Sequence, residues 1–319
     1  MKRRRRLALV LATTAFAIGV VAAGCGDDDD GGDGGSSDLS GSIVVDGSST
    51  VAPLTSAAAE AFNADNPNVD VEVRVSGTGG GFEVFCSGET DISDASRPIK
   101  DEEAATCAGN GIEYEEVRVG SDGITVVTGA RGEIESCPLT IEQLNAIWAP
   151  DSKINNWDQI PGGSFPSVEL SLAGADSQSG TYDFFNEDVL GEDDAGDVIE
   201  PRQDYAASAD DNQTIRSVTG ARGGMGYFGY SYFTENQDQL TACPLDGVAP
   251  DPDTITAGDY PLSRPLFIYV EKEALARPEV EGFVRFYLEN GVELAEQEQF
   301  VPAPQEDLDA GLAALPAAE

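Results

Sequence analysis

The sequence contains no histidine, and this absence removes several kinds of site. A serine nucleophile activated by histidine is excluded, and no Ser-x-x-Lys motif offers activation by lysine instead. Zinc sites depend on histidine and on closely spaced cysteines, and the chain has no CxxC pair. We therefore expect no metal, no cofactor and no nucleophilic catalysis.

Positive charge is also scarce, since 18 Lys and Arg face 58 Asp and Glu, for a net charge of −40. A surface of this sign argues against nucleic acid and anionic membrane as partners and favours solubility outside a cell. It does not exclude an anionic ligand. Exposed charges are screened over about 8–10 Å, whereas buried N–H groups act at contact.

The N-terminus differs in composition from the rest of the chain. A basic start, an apolar run over residues 7–21 and the closing "VAAGC" predict a lipoprotein signal peptide over residues 1–24, which is short for a membrane span. The motif resembles a bacterial lipobox, with Cys25 as the lipidated residue. Residues 25–40 are rich in Gly, Asp and Ser and predict a flexible acidic tether.

Four further cysteines remain, and an even number in an exported chain favours disulfide bonds. The cysteines alone allow three pairings. They are Cys86, Cys107, Cys137 and Cys243.

Strand-like and helix-like segments alternate along the chain. The run "GSIVVDG" precedes an alanine-rich helix, "VDVEVRVS" alternates as a strand, and "SVELSLAGADSQSGTYDFF" repeats the order of strand, turn and helix. This order predicts an α/β fold with a parallel or mixed sheet. A chain of 319 residues with 40% hydrophobic content can bury one large or two medium cores.

Three turns rich in Ser, Thr and Gly share one position in this order. They are "GSST" at 47–50, "SGTGGG" at 76–81 and "SQSGT" at 177–181, each between a strand and a helix. A single turn of this kind is adequately explained as a helix cap. Three at the carboxyl ends of strands predict instead a cleft in which N–H groups and hydroxyls hold a tetrahedral oxyanion.

The motif "GMGYFG" at 224–229 matches the GxGxxG pattern of dinucleotide-binding folds. It does not open an obvious helix, and aromatic residues surround it. We interpret it as a packed glycine-rich strand or turn. Neighbouring carboxylates such as Asp210 and Asp211 carry little weight as an acid/base pair in so acidic a chain.

Several longer segments together resemble the phosphate-binding lipoproteins of bacterial phosphate ABC transporters, in the same order from about residue 40 to 302. The resemblance is carried by "DGSSTVAPLTSAAAEAF", "VSGTGGGFEVFCSGETDISDASRPIK", "LTIEQLNAIWAPDSKINNWDQI", "ADSQSGTYDFF" and "DYAASADDNQTIRSVTGARGGMGYFGYSYF". It implies a type II periplasmic-binding-protein fold, with two α/β lobes, a hinge and a ligand cleft between them. Lobe 1 is then expected at 41–120 and 256–319, and lobe 2 at 121–255, with crossings near 120–128 and 255–266.

Within this implied architecture, one pairing of the cysteines keeps each bridge inside a single lobe. It joins Cys86 to Cys107 in lobe 1 and Cys137 to Cys243 in lobe 2.

The resemblance also implies a set of phosphate-binding residues: Ser49, Thr50, Thr78, Ser96, Arg97, Ser179, Gly180 and Thr181. Two positions depart from the family pattern, because Ala175 replaces an arginine before the third turn and Ser96 replaces an aspartate. Arg97 is the expected cationic clamp, because a guanidinium can grip two phosphate oxygens at once. The candidates for accepting the phosphate proton, or for reaching the cleft, are Asp94, Asp176, Asp211 and Asn212.

The function implied by the resemblance is binding of inorganic phosphate outside the cytoplasm and delivery to the permease and ATPase of an ABC transporter. Such a protein is no enzyme, and we expect a monomer that meets the membrane only through its lipid anchor. Alternatives are a receptor for sulfate, molybdate or tungstate, a secreted phosphate-ester hydrolase, and an adhesive surface protein.

Overall fold

The computed structural model describes residues 39–316 except 178 and 197, so the predicted signal peptide, Cys25 and nearly all of the tether lie outside the described residues. The strands are β1 Gly41–Gly47, β2 Val69–Val73, β3 Ile92–Ala95, β4 Tyr114–Gly129, β5 Ser171–Gly174, β6 Ala206–Ala207, β7 Gly224–Gly229, β8 Leu240–Ala242, β9 Ser263–Glu271 and β10 Val301–Pro302.

Helices lie between most of these strands. They are α1 Ala52–Asp65, α2 Gly77–Cys86, α3 Asp101–Asn110, α4 Ile141–Trp148, α5 Gly180–Phe185, α6 Asp211–Gly220, α7 Tyr230–Glu235, α8 Pro252–Ala257, α9 Pro278–Glu289, α10 Gly291–Gln297 and α11 Gln305–Ala314. None of the helices in the part of the chain that the structure describes has the length and apolar character of a membrane span.

The strands follow the order β2-β1-β3-β9-β4-β7-β5-β6, with β8 and β10 also paired to β4. Pairs on either side are parallel, as in β1 with β2 and β3 and in β5 with β6 and β7. The central pairs that involve β4 and β9 are antiparallel. The predicted α/β class with a mixed sheet is confirmed.

The long strand β4 connects two half-sheets because it changes partner along its length. Residues from Tyr114 to Gly123 pair with β9, whereas the stretch from Ile124 to Thr128 pairs with β7. Each half-sheet therefore belongs to one of the two lobes, and β4 crosses from one lobe to the other.

Two large hydrophobic cores follow this division. The first includes Ile43, Leu54 and Phe283, and the second includes Trp148, Phe185 and Tyr227. Tyr260 and Leu262 also pack into the second core. The lobe boundaries stay a proposal, and this packing moves the proposed return to lobe 1 from residue 256 to about residue 263.

Local sequence signals explain several elements. Helix α4 begins after Thr140, whose hydroxyl accepts a hydrogen bond from Gln143 N at 3.1 Å, as expected of a capping residue. The motif "GMGYFG" forms β7, and most of it is buried, so the interpretation as a packed strand is correct. Helix α1 buries Leu54, Ala58 and Phe62 as its apolar spacing predicts.

Both predicted disulfides are present. Cys86 and Cys107 join α2 to α3, and Cys137 and Cys243 close a much longer loop of the second core. The sequence separations of 21 and 106 residues put both bridges in the range where loop closure stabilises a fold by roughly 3–5 kcal/mol in a chain-entropy model.

Candidate functional site

The first turn, between β1 and α1, does not use its threonine as a helix cap. Val51 occupies the capping position of α1 without a side-chain hydrogen bond, and Ser48 Oγ accepts from Thr50 N at 3.2 Å. The hydroxyl of Thr50, which is 8% exposed, instead accepts a hydrogen bond from Arg264 Nη2 at 2.5 Å. Ser49 is exposed beside it. This turn therefore directs its hydroxyls towards the space between the lobes.

The second turn is tied to the loop that follows β3. Thr78 Oγ1 lies 3.1 Å from Ser96 Oγ and accepts a hydrogen bond from Ser96 N at 3.2 Å. Arg97, next along the chain, makes two hydrogen bonds of 2.8 Å to Glu103 and lies 5.6 Å from the centre of the Phe82 ring. We call Thr78, Ser96, Arg97 and Glu103 the rim cluster.

The third turn, in the proposed lobe 2, lies close to the first turn. Ser179 caps α5, and its Oγ accepts from Thr181 N at 3.2 Å. A Cβ atom added to Gly180 would lie only 3.7 Å from Thr50 Oγ1. Two of the three predicted turns therefore lie next to each other across the cleft.

Arg264 lies at the same place and was missed by the sequence analysis. It belongs to β9, where Asp122 of β4 is its direct cross-strand partner. Nε and Nη2 donate to Asp122 Oδ2 at 3.4 and 3.3 Å, and the guanidinium lies 3.8 Å from the centre of the Phe184 ring. We call Thr50, Asp122, Phe184 and Arg264 the floor cluster. Thr50 and Phe184 come from the two proposed lobes, and Asp122 and Arg264 come from the two crossing strands.

Two adjoining cavities share this region. The first cavity, of about 830 Å³, and the second cavity, of about 190 Å³, are both lined by Ser49 and Thr50. The first cavity is also lined by Thr78, Ser96, Arg97 and Arg264. The second cavity is also lined by Asp122, Gly180, Thr181 and Asp211. Most of the predicted phosphate-binding residues thus line one of these two neighbouring cavities, whereas Ser179 lines neither.

Asp94 does not reach these cavities. It is fully buried beneath α1, where Oδ1 accepts from the hydroxyl of Thr55 at 2.9 Å, and Thr55 is in turn 3.2 Å from the hydroxyl of Tyr287. Burial raises the pKa of Asp94 to about 8, against the opposing hydrogen bond from Thr55. The proposal that Asp94 accepts the phosphate proton therefore loses its geometric support.

The other candidate residues differ in position. Asp211 lines the second cavity, and burial, followed by the charge of Asp210, raises its pKa to about 6. Asn212 is exposed, and its backbone N–H donates to Asp210 Oδ1. Neither Asp176 nor Asn212 is among the described residues that line the two cavities. No group of three or more carboxylates and cysteines suited to a metal ion occurs in residues 39–316, apart from the two undescribed positions.

This chain lacks the arginine before the third turn and the aspartate at position 96. The floor cluster nevertheless contains one arginine and one aspartate. Arg264 and Asp122 supply a cation and a carboxylate from the two paired strands β4 and β9. Their separation in sequence gives no local motif. The available signal was an arginine within the expected crossing near 255–266.

Comparison with known proteins gives a consistent family. The sequence model of the PBP superfamily domain matches residues 34–290. Protein SphX of Synechococcus elongatus is 42% identical over 270 residues, which cover 82% of this chain and 77% of that protein. The phosphate-binding protein PstS of Staphylococcus saprophyticus is 37% identical over 301 residues, which cover 92% of this chain and 90% of that protein.

A solved structure extends the similarity to three dimensions. The crystal structure of a possible phosphate binding protein from Planctomyces limnophilus is 42% identical in sequence, with a TM-score of 0.78. The match covers 86% of this chain and 98% of that one. The two-lobe binding-protein fold expected from the sequence is therefore confirmed.

Proposed function

The chain belongs to the PBP superfamily and to the family of the PstS and SphX proteins, and from this premise we propose that it binds inorganic phosphate outside the cytoplasm and delivers it to the permease of an ABC transporter. The observation that carries the proposal is the meeting of the Thr50 and Gly180 turns beside Arg264. These groups come from both lobes, so an anion between them contacts both.

The donors in this space suit a tetrahedral oxyanion. Thr50 Oγ1 accepts from Arg264, so the hydroxyl proton of Thr50 is free to point at a ligand. Helices α1 and α2 begin at the cleft, and the first N–H groups of a helix have no partners within the helix. Ser49, Thr78, Ser96, Arg97, Ser179 and Thr181 complete the proposed set of ligand residues.

Binding of this kind couples to motion of the lobes. A ligand held by both lobes binds the closed arrangement more tightly than an open one and so shifts the population towards closure. In this proposed function the protein performs no chemistry on the ligand and releases it when the lobes separate. We propose further that Cys25 carries a lipid, that residues 25–40 form the tether, and that the protein acts as a monomer.

Calorimetric titration of the full chain with phosphate, and separately with sulfate at the same ionic strength, tests the proposal. We expect phosphate to bind and sulfate to bind far more weakly. Equal affinities would favour the alternative of a general oxyanion receptor, and no heat with phosphate would contradict the proposed function. A chromogenic phosphate ester serves as a second control, since turnover of the ester would indicate a hydrolase.

A further inference from the structure

Asp94 lies at the base of the first turn, inside lobe 1 rather than in the cleft. It is fully buried in β3, and its partner in the neighbouring strand β1 is Gly47, the residue at which the turn begins. The backbone oxygen of Asp94 accepts a hydrogen bond from Ser48 N at 2.9 Å. A Cβ atom added to Gly47 would lie 2.1 Å from that same oxygen, so the close contact of turn and strand depends on glycine.

The side chain of Asp94 holds the other end of the same segment. Its Oδ1 accepts from the hydroxyl of Thr55 at 2.9 Å, and Thr55 N donates to Val51 O in the first turn of α1. Helix α1 has no side-chain cap of its own. One residue of β3 therefore fixes both Ser48 and Thr55, which lie on either side of the hydroxyl residues of the first turn.

The polar contacts of Asp94 all come from uncharged groups. Thr55 uses its only hydroxyl proton on Asp94, so the phenol of Tyr287, 3.2 Å away, donates to Thr55. The second oxygen of Asp94, Oδ2, is buried and has no hydrogen-bond partner among the described residues. These surroundings suit a neutral carboxyl group better than a carboxylate, because a buried charge needs a paired countercharge.

The titratable groups near Asp94 also favour its neutral form. They are Asp46 of β1 and Tyr287 of α9, whereas α1 contributes Thr55 and β9 pairs Asp94 with the apolar Ile268. Burial raises the pKa of Asp94 to about 8; the hydrogen bond from Thr55 opposes this shift, and the negative charge of Asp46 adds to it. Asp94 therefore keeps its proton at neutral pH.

We propose that Asp94 is a positioning residue for ligand binding, which in its protonated form fixes the start of α1 against β3 and so holds Ser49 and Thr50 at the cleft. The inference takes its ligand from the proposed phosphate function. Ionisation would leave an unpaired charge inside lobe 1, and water can reach that charge only if α1 separates from β3. The first turn would move with α1, and the apparent affinity falls in proportion to the fraction of protein that is still able to bind.

Calorimetric titration with phosphate across the range from about pH 6.5 to about pH 9.5 tests the proposal. Asp94→Asn keeps the shape and the acceptor of the protonated side chain but does not titrate. The ratio of the two affinities at each pH removes the titration of phosphate itself. We expect a ratio near one at neutral pH and at least about fivefold weaker binding by the unaltered protein at the alkaline end. A ratio that is the same at every pH would overturn the inference.

Variants of Thr55 test the contact without changing the acid. Thr55→Val keeps the volume but removes the donor to Asp94, so we expect at least about threefold weaker phosphate binding at neutral pH. Thr55→Ser restores a hydroxyl and should recover the affinity to within about twofold. Full affinity in Thr55→Val would contradict a positioning role for this contact.

Asp91→Asn is the matched control. Asp91 immediately precedes β3, where it accepts from Val44 N at 2.9 Å and pairs with Arg277, away from the first turn. Its phosphate affinity should follow that of the unaltered protein at every pH. If Asp91→Asn instead removes the alkaline loss as Asp94→Asn does, the effect does not belong to Asp94 and the inference fails.

Hydrogen exchange without ligand separates this inference from the proposed function. At about pH 9, peptides that span residues 47–55 should exchange faster in the unaltered protein than in Asp94→Asn, because the first turn is released when Asp94 ionises. If this difference is found but phosphate does not bind at any pH, the proposed function fails and the positioning role stands. If phosphate binds and neither the exchange nor the affinity differs between the two proteins, the function stands and the inference fails.

Discussion

The rim and floor clusters each contain an arginine near the proposed ligand, and they differ in what holds that arginine. Arg97 of the rim is 31% exposed, and Glu103, six residues later in the chain, accepts hydrogen bonds from its Nη1 and Nη2. Arg264 of the floor is 12% exposed and contacts residues from three distant parts of the chain. Desolvation strengthens charge interactions, so we expect the floor to provide the stronger anion contact, although the rim has the clearer sequence motif.

The largest expected effect comes from removing each arginine in turn. Arg264→Ala should weaken phosphate binding by about 3 kcal/mol, roughly a hundredfold, because it removes a charged donor from a buried site. Arg97→Ala should cost less than about 1 kcal/mol, because its guanidinium is more exposed than that of Arg264 and its two contacts with a carboxylate, at 2.8 Å, are shorter than the 3.3 and 3.4 Å contacts of Arg264. Calorimetry of both variants measures the difference. A larger loss in Arg97→Ala would restore Arg97 as the main clamp.

A second prediction concerns pH and compares Asp211, which lines the second cavity, with Asp94 in the interior of lobe 1. Asp94, with a pKa of about 8, holds its proton more tightly in the folded than in the unfolded chain, so stability is lost as pH rises through that range. Between the pKa of Asp211 near 6 and that of Asp94 near 8, the free energy of unfolding should fall by up to about 1.4 kcal/mol per pH unit.

Denaturant unfolding at a series of pH values measures this slope. In Asp94→Asn the slope above pH 6 should become flatter, because the amide does not titrate. Asp211→Asn is the control and should change the slope only below that pH. An unchanged slope in Asp94→Asn would mean that Asp94 is already ionised in the fold.

The smallest expected effect comes from removing single hydroxyl groups, one from the floor and one from the rim. Thr50→Val keeps the side-chain volume but removes the hydroxyl that we propose donates to the ligand, so phosphate affinity should fall by about 1–2 kcal/mol. Thr78→Val removes a hydroxyl that is already paired with Ser96 and should cost less than about 1 kcal/mol. Equal losses in calorimetric titrations would show that rim and floor bind the ligand alike.

Local features were predictable because they depend on neighbours in sequence. The cap of α4, the strand "GMGYFG" and the three turns follow from hydrogen bonds and packing within a few residues. The resemblance to a family added the two-lobe fold, and with it the correct pairing of the cysteines. These statements needed no knowledge of how distant strands align.

The sequence by itself determined where chain turns present Ser, Thr and Gly to a cleft, since each turn is a local motif between a strand and a helix. Only the tertiary structure decided which charges accompany them. The register of β4 and β9 sets Asp122 opposite Arg264, and Thr50, 214 residues from Arg264, reaches it only once the two distant segments of lobe 1 have folded together. A shift of one residue in that register would turn Arg264 to the other face of the sheet, which is why strand alignment rather than any motif fixes the cation of the cleft.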